Sequence, residues 1–130
     1  MSIFEALFLR IEWDEETRCV EMHWRHSVRV EDFRKGMDEG LGVLEWIQGG
    51  RLLADLRDVE AITTAALGWF ARDWLPRALV AGLRDVAFIP PHKAIPRRAV
   101  DHALWHVQDR ELRLESFDTP EQARAWLKSL

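Results

Sequence analysis

The most informative part of the sequence is residues 17–24, which read Thr17-Arg18-Cys19-Val20-Glu21-Met22-His23-Trp24. Val20, Met22 and Trp24 alternate with polar residues, which is the period of a half-buried strand. The polar residues 14–17 come directly before this run, and residues 3–13 alternate as well. Two alternating runs around a short polar turn predict a β-hairpin.

Beyond the hairpin, the pattern changes to helical spacing and then alternates between strand and helix. Phe33, Met37, Leu41 and Leu44 predict a helix over residues 30–47, which the Gly49-Gly50 pair ends. Further strands are predicted at 51–56, 86–89 and 112–117, and further helices at 63–82, 96–107 and 120–130. Pro76 is expected to break or restart the second helix.

The predicted element order is therefore β-β-α-β-α-β-α-β-α. A hairpin followed by alternating strands and helices predicts an α/β fold with a mixed sheet, parallel after the hairpin. The length of 130 residues predicts one domain, residues 1–130.

Composition excludes several classes of protein. A hydrophobic fraction of 48% and a charged fraction of 31% exclude a disordered or collagen-like chain. The net charge of −4 argues against nucleic-acid binding, which needs a basic surface. No apolar run is long enough to span a membrane, and we expect no signal peptide, because the N-terminal residues lack a basic region followed by an apolar one. With one cysteine, Cys19, no intramolecular disulfide forms, so we expect a cytoplasmic protein.

Several segments carry a family resemblance, and together they extend over nearly the whole chain. They are residues 17–24, Val30-Glu31-Asp32-Phe33-Arg34, Leu53-Ala54-Asp55-Leu56-Arg57-Asp58, Trp74-Leu75-Pro76-Arg77-Ala78 and residues 117–127. The chain resembles the SpoIIAA-like family of the STAS superfamily. The resemblance implies a SpoIIAA-like fold and a non-enzymatic regulatory or protein-interaction module, with a protein partner or a homodimer. Because the segments are patterns of a fold and not of a catalytic site, they say more about architecture than about activity.

The resemblance also implies a candidate phosphoacceptor. The best-known STAS proteins are switched by phosphorylation of a Ser or Thr at the start of the helix after the third strand, typically within an Asp-Ser-x-Gly-Leu pattern. Asp55 matches that Asp, but residues 56–58 carry no hydroxyl. The nearest hydroxyl groups belong to Thr63 and Thr64, which are therefore the candidate phosphoacceptors. The alternative for either residue is capping of the following helix.

Aromatic residues of the second helix are the candidate interaction surface. Trp69, Phe70 and Trp74 spread over a wide arc of this helix. A helix with so wide an apolar arc is either deeply buried or presents aromatic side chains to a partner. Both alternatives remain open from the sequence.

Basic residues near the third helix form a candidate anion site. Lys93, Arg97 and Arg98 lie at its start, where the helix N-terminus attracts anions and arginine adds bidentate contacts. An anionic ligand or an acidic partner fits this group, and a solvated basic turn is the alternative. The second function that we consider is accordingly a small apolar or anionic ligand-binding protein. That function draws on the similarity of STAS-like folds to lipid-binding CRAL-TRIO-type domains.

Two other constellations are weak. His102 and His106 have the i, i+4 spacing of a metal pair, but the sequence supplies no third ligand beside them. Asp55, Asp58 and Glu60 form an acidic cluster in which we expect Asp55 to accept hydrogen bonds from loop amides. We therefore predict no catalytic residue, no metal and no cofactor.

Overall fold

The computed structural model describes residues 1–107 and 111–130 and is built around one mixed sheet. Across the described residues the sheet has six strands, which lie side by side in the order in which they occur along the chain. The strands are β1 (Ser2–Glu5), β2 (Leu9–Asp14), β3 (Cys19–Val28), β4 (Arg51–Ile62), β5 (Asp85–Ile89) and β6 (Arg113–Ser116). β1, β2 and β3 pair antiparallel, and β3 to β6 pair parallel. The predicted α/β fold, hairpin and parallel pairing are confirmed.

Helices cover the sheet unequally on its two faces. They are α1 (Val30–Ile47), α2 (Thr64–Trp69), α3 (Leu75–Ala81), α4 (Ala94–Trp105) and α5 (Pro120–Lys128), with a π-helical turn (Phe70–Trp74) joining α2 to α3. The first four helices pack on one face, over the main core. α5 covers part of the other face, where Ala123 and Leu127 contact Leu53 and Ala87.

The N-terminal part of the sheet differs from the prediction. Residues 3–13 form two antiparallel strands, β1 and β2, instead of one strand. A tight turn separates them, in which the amides of Ala6 and Leu9 each donate to the carbonyl of the other at 2.8 and 3.4 Å. β4 is also longer than predicted, because residues 57–62 continue to pair with β3 after the pairing with β5 has ended.

A new α-helix, α3, begins at Leu75 with Pro76 within its first two residues, which is the restart that the proline predicted. A proline cannot donate a hydrogen bond to the carbonyl four residues earlier, and its ring collides with that carbonyl in a regular α-helix. The wider turn over Phe70–Trp74 immediately precedes α3, where Pro76 lies within the first two residues. The π-helical turn therefore lets the chain stay helical from α2 through α3.

Two glycines let α1 lie close to the sheet. A Cβ atom on Gly36 would lie 2.5 Å from both Leu9 and Trp24, and one on Gly40 would lie 2.8 Å from the Met22 sulfur. The close approach explains why glycine stands at these positions of a helix despite its low helical propensity. A Cβ on Gly42, by contrast, would have no neighbour within 4 Å.

Candidate functional site

Trp74 is part of the core, which corrects the expectation that it presents a contact surface. Its side chain is 0% exposed. The indole Nε1 donates a 2.7 Å hydrogen bond to the carbonyl of Met37 in α1. Burial of this large ring between two helices therefore requires the hydrogen bond that satisfies its one polar atom.

Trp69, the last residue of α2, and Phe70, the first residue of the π-helical turn, are both half-buried but contact different aromatic partners. Trp69 contacts the edge of Phe33, and the guanidinium groups of Arg34 and Arg77 lie 5.6 and 5.9 Å from the centre of its ring. Phe70 stacks on Trp74 with ring centres 5.3 Å apart. The two cations thus cover part of Trp69, and the predicted three-residue aromatic surface is not continuous.

Thr63 performs the capping role that the sequence analysis gave as an alternative. Its hydroxyl oxygen accepts a 3.1 Å hydrogen bond from the Ala66 amide at the start of α2. Thr64 is the first residue of α2, and both threonines are exposed. Phosphorylation at either residue remains a prediction.

An apolar cavity of about 60 Å³ lies between the sheet and the helices above it. Its walls include Trp24 and Phe88 from the sheet, Phe70 from the π-helical turn, and Ala103 and Leu104 from α4. The lining side chains are all apolar. This volume is far below the roughly 300 to 1,000 Å³ of typical ligand pockets. The cavity is therefore too small for a lipid in this conformation.

A chain of charged side chains, in which two buried carboxylates alternate with partly buried cations, lies on the opposite face of the sheet. His23 Nδ1 is 3.0 Å from Asp55 Oδ2, and His23 Nε2 is 3.1 Å from Glu21 Oε1. At one end, Arg57 donates to both oxygens of Asp55 at 3.0 and 2.9 Å. At the other end, Arg124 of α5 donates to both oxygens of Glu21 at 2.9 and 2.8 Å. We call these five residues the charge network.

The local fold explains how the charge network assembles. Glu21 and His23 are two residues apart on β3, so both side chains project from the same face of the sheet. His23 is paired with Asp55 in the parallel register of β3 and β4. The Arg57 amide also donates to Asp55 at 3.2 Å, as the sequence analysis expected for this carboxylate. Arg57 binds Asp55 rather than Asp58, which is exposed.

Electrostatics favours the charged form of every member of the network. Burial opposes the charges of Glu21 and His23, but the hydrogen bonds between them and their other partners outweigh it. The pKa of Glu21 falls to about 2, with Arg124 the main stabilising partner. The pKa of His23 rises to about 9, with Asp55 the main stabilising partner. Burial opposes the charge of Asp55 as well, yet His23 and Arg57 lower its pKa. At neutral pH, His23 is therefore an imidazolium between two carboxylates.

This arrangement determines what the network can do chemically. An imidazolium that donates from both nitrogens has no lone pair with which to accept a proton. Both carboxylates are engaged by cations. The network is built to hold β3, β4 and α5 together, and it is a poor general base.

Of the charge network, only Asp55 was predicted from the sequence to accept hydrogen bonds, whereas Glu21, Arg57 and Arg124 were not identified as site residues. Two charged residues on one face of a strand in the middle of a sheet were the available signal, because buried charges require partners. The identity of the partner on α5 depends on how that helix lies over the sheet, which local sequence patterns do not specify.

The outer surface of α4 carries the predicted anion-site residues. Lys93 precedes the helix, Arg97 and Arg98 lie in it, and all three are exposed. Arg97 and Arg98 lie about 100° apart around the helix, so the three cations do not converge on one point. None of the three forms an ion pair with any residue in the described ranges 1–107 and 111–130.

Two large apolar side chains accompany these cations. Ile95 is 82% exposed and Trp105 is 78% exposed. With Arg98 and His102, these residues fall on one side of α4, at spacings of three, four and three residues. We call the set Ile95, Arg98, His102 and Trp105 the α4 stripe. Ile95 and Trp105 were not identifiable as surface residues from the sequence, because exposure of an apolar residue is visible only in the folded protein.

His102 and His106 are in contact, with ring centres 4.9 Å apart. Among the described residues, no cluster of three or more metal-ligating side chains includes them. The i, i+4 pair thus has the predicted geometry, and the described part of the chain adds no third ligand.

Comparisons with known proteins inform the fold. No protein-family model matches the sequence, and a search of curated proteins gives no match. A search of solved structures matches the crystal structure of an uncharacterized DUF3478-family protein from Shewanella loihica PV-4, described as having a SpoIIAA-like fold. The two chains are 18% identical, the match covers 96% of this chain and 98% of that chain, and the TM-score is 0.60. None of the helices in the described ranges is both long and apolar enough to cross a bilayer. The match to the Shewanella loihica structure over nearly the full length of both chains shows that this protein has a SpoIIAA-like fold.

Proposed function

We propose that this protein is a non-enzymatic, cytoplasmic regulatory module that acts through protein contacts, and that the α4 stripe is its partner-binding surface. The observation that carries the proposal is the exposure of Ile95 and Trp105, 82% and 78%, on the same side of one helix. Removal of such side chains from water contributes roughly 1.5 to 3 kcal/mol each, which is the size of an interface hot spot.

The charges on the α4 stripe specify the kind of partner. Arg98 and His102 lie between the two apolar residues, Lys93 precedes the helix, and Arg97 and Asp101 lie along one edge of the stripe. A partner segment with two apolar anchors and acidic side chains between them is complementary to this pattern. This partner is the acidic one that the basic residues near the helix start predicted.

The charge network supports the non-enzymatic part of the proposal. Both ring nitrogens of His23 are already hydrogen-bonded to carboxylates. Each of those carboxylates also forms an ion pair with an arginine. The polar atoms of the network are thus engaged in holding the fold together. The fold by itself does not decide between binding and catalysis.

The experiment compares proteins retained from a cell extract by immobilised wild type and by variants. Trp105→Ala and Ile95→Ser remove the two anchors. Val80→Ser is the matched control, because Val80 is 91% exposed on α3. A partner retained by wild type and Val80→Ser, and lost from both anchor variants, supports the proposal. Its affinity is then measured for each purified variant by calorimetry.

Equal retention of every protein by wild type and the anchor variants contradicts the proposed surface. Circular dichroism spectra that match wild type show that the variants are folded. Since both anchor side chains are exposed, we expect the unfolding free energy of each anchor variant to differ from that of wild type by less than about 0.5 kcal/mol.

A second candidate function is binding of a small apolar ligand. The observation in its favour is the wholly apolar lining of the cavity beneath α4. The volume of about 60 Å³ requires α4 to move before a ligand enters. Native mass spectrometry with and without a medium-chain fatty acid tests this function, with an Ala103→Phe variant that fills the cavity as the control. A ligand adduct on wild type that the filled variant lacks supports it, and no adduct on either protein removes it.

A further inference from the structure

Gly42 has no structural reason within the chain to be glycine. Gly36 and Gly40 let α1 approach the sheet, but a Cβ on Gly42 would meet nothing within 4 Å. An exposed glycine inside a helix is less favourable than alanine by about 1 kcal/mol. Another surface that comes close to the helix backbone at this point would require a residue without a side chain.

Gly42 lies in the middle of a regular pattern on the outer side of α1. Lys35, Glu39, Gly42 and Trp46 follow one another at spacings of four, three and four residues. This spacing places the four residues along one line of the helix surface. Trp46 is 85% exposed, so the line ends in a large aromatic side chain that the chain itself leaves uncovered. We call these four residues the α1 stripe.

The α1 stripe is symmetric in its spacing. When two copies of α1 meet antiparallel about a two-fold axis, Lys35 of each copy faces Trp46 of the other. Glu39 of each copy then faces Gly42 of the other. Such an isologous contact uses the same patch on both subunits, as closed dimers require.

Charge complementarity favours a second copy as the occupant. Antiparallel pairing brings the ammonium group of Lys35 over the Trp46 ring of the other copy, which is a cation–π arrangement. Glu45, next to Trp46, adds an opposite charge near the same ammonium group. The two Glu39 side chains lie on either side of the axis, about 4.5 Å apart along the helix direction, so the electrostatic attraction comes from the Lys35 contacts at the two ends of the stripe.

The N-terminal strand extends this surface. A groove of about 590 Å³ runs beside the α1 stripe. Its lining is apolar at Met1, Ile3, Val43 and Trp46 and charged at Lys35, Asp38 and Glu39, with Gly42 between them. A bulge between Ser2 and Phe4 in the pairing of β1 with β2 accompanies the position of Ile3, which is 41% exposed. The groove therefore provides apolar area on both sides of the proposed axis.

We propose that this protein forms a homodimer through antiparallel contact of the α1 stripes, with Gly42 at the axis and Trp46 covered by Lys35 of the second copy. The α1 stripe shares no residue with the α4 stripe. Loss of one contact is thus distinguishable from loss of the other.

Sedimentation equilibrium of the full chain, from about 1 to about 200 µM, tests the proposal. We expect a reversible dimer for wild type and for Trp105→Ala, the matched control with a removed tryptophan on α4. Gly42→Leu and Trp46→Ala are each expected to raise the dimer Kd at least tenfold, about 1.4 kcal/mol. Lys35→Glu should weaken the dimer, and adding Glu45→Lys should restore most of the affinity.

A crosslinking experiment tests the register. A mixture of Glu39→Cys and Gly42→Cys chains should form a disulfide-linked dimer in greater yield than either variant alone. Cys19 does not compete, because it is fully buried and burial raises the pKa of its thiol.

Two results overturn the proposal. One is a monomer at every concentration for folded wild type. The other is a dimer whose Kd is unchanged by both Gly42→Leu and Trp46→Ala. Gly42→Leu faces open space in the monomer, so circular dichroism should show an unchanged fold for that variant.

Discussion

The imidazole Nδ1 of His23 lies 3.0 Å from a carboxylate oxygen of Asp55, although the two residues are 32 positions apart in the chain. This contact joins two neighbouring parallel strands. Through Glu21, the same imidazole is connected to Arg124 of α5. A single protonated ring thus stabilises the packing of two strands and one helix.

The stability of the protein should fall with rising pH in a window set by His23. The pKa of this group is about 9 in the folded protein and about 6.5 ordinarily. A raised folded-state pKa stabilises the fold fully below pH 6.5, and the stabilisation is lost as pH rises through about 9. We expect a loss on the order of 1 to 3 kcal/mol in the unfolding free energy between these limits.

The measurement is urea unfolding of wild type and His23→Gln across this pH range. The variant should be less stable than wild type at pH 6.5 and should lack the decline above it. A wild-type decline that persists unchanged in His23→Gln would assign the pH dependence to other groups. His26→Gln, a change at an exposed histidine of the same strand, is the control.

Arg124→Ala should loosen α5 from the sheet. It removes both hydrogen bonds to Glu21 and leaves a carboxylate that is only 4% exposed without that cation. Unpaired buried charges are strongly destabilising, and partial exposure of Arg124 moderates the effect to about 1 to 3 kcal/mol. Hydrogen exchange should show faster exchange in α5.

Lys128→Ala provides the comparison for Arg124→Ala. Lys128 forms an ion pair with Glu16, and both side chains are well exposed. We expect a loss below about 0.5 kcal/mol, because surface pairs contribute little. Equal losses in the two variants would mean that the Glu21 contact adds nothing to docking of α5.

Thr63→Ala should destabilise the protein by about 1 kcal/mol. The substitution removes the oxygen that accepts from the Ala66 amide at the start of α2. Thr64→Ala, one residue later, should change stability much less, since Thr64 does not cap the helix. Thermal unfolding of both variants distinguishes the two roles. Similar destabilisation by the two substitutions would show that capping is not the relevant difference.

Gly36→Ala should destabilise the protein by roughly 1 to 3 kcal/mol, because the new methyl group overlaps Leu9 and Trp24. Gly42→Ala adds the same methyl group to the same helix in open space. At concentrations where the protein is monomeric, that variant should gain up to about 1 kcal/mol. Chemical unfolding of the two variants provides the measurement. The close packing of α1 on the sheet would be disproved by a neutral Gly36→Ala.

The sequence was sufficient for the order of strands and helices because each element has its own periodicity. The alternation around Val20, Met22 and Trp24 and the helical spacing from Phe33 to Leu44 depend only on which side of an element faces the core. The split of the first strand was missed because the turn at residues 6–8 contains no glycine or proline. The alternation therefore continues through it.

The sites were less predictable than the elements. Trp74 and Trp105 are both tryptophans on helices, yet one is 0% exposed and the other 78%. Which of them is covered depends on the neighbouring helix and sheet. Thr63 was identifiable as a cap because that contact spans three residues. The Glu21–Arg124 contact spans 103 residues and was not identifiable.

The sequence by itself thus determined the α/β class, the element order and the local caps, since these follow from contacts and periodicities within one segment. Only the tertiary structure decided which charges are paired, which tryptophans are exposed and which glycine lacks an internal role. Those properties arise where distant segments meet, and their energies depend on burial and distance. His23 shows the difference: its alternation placed it on a strand, but Asp55 and Glu21 made it a partly buried cation.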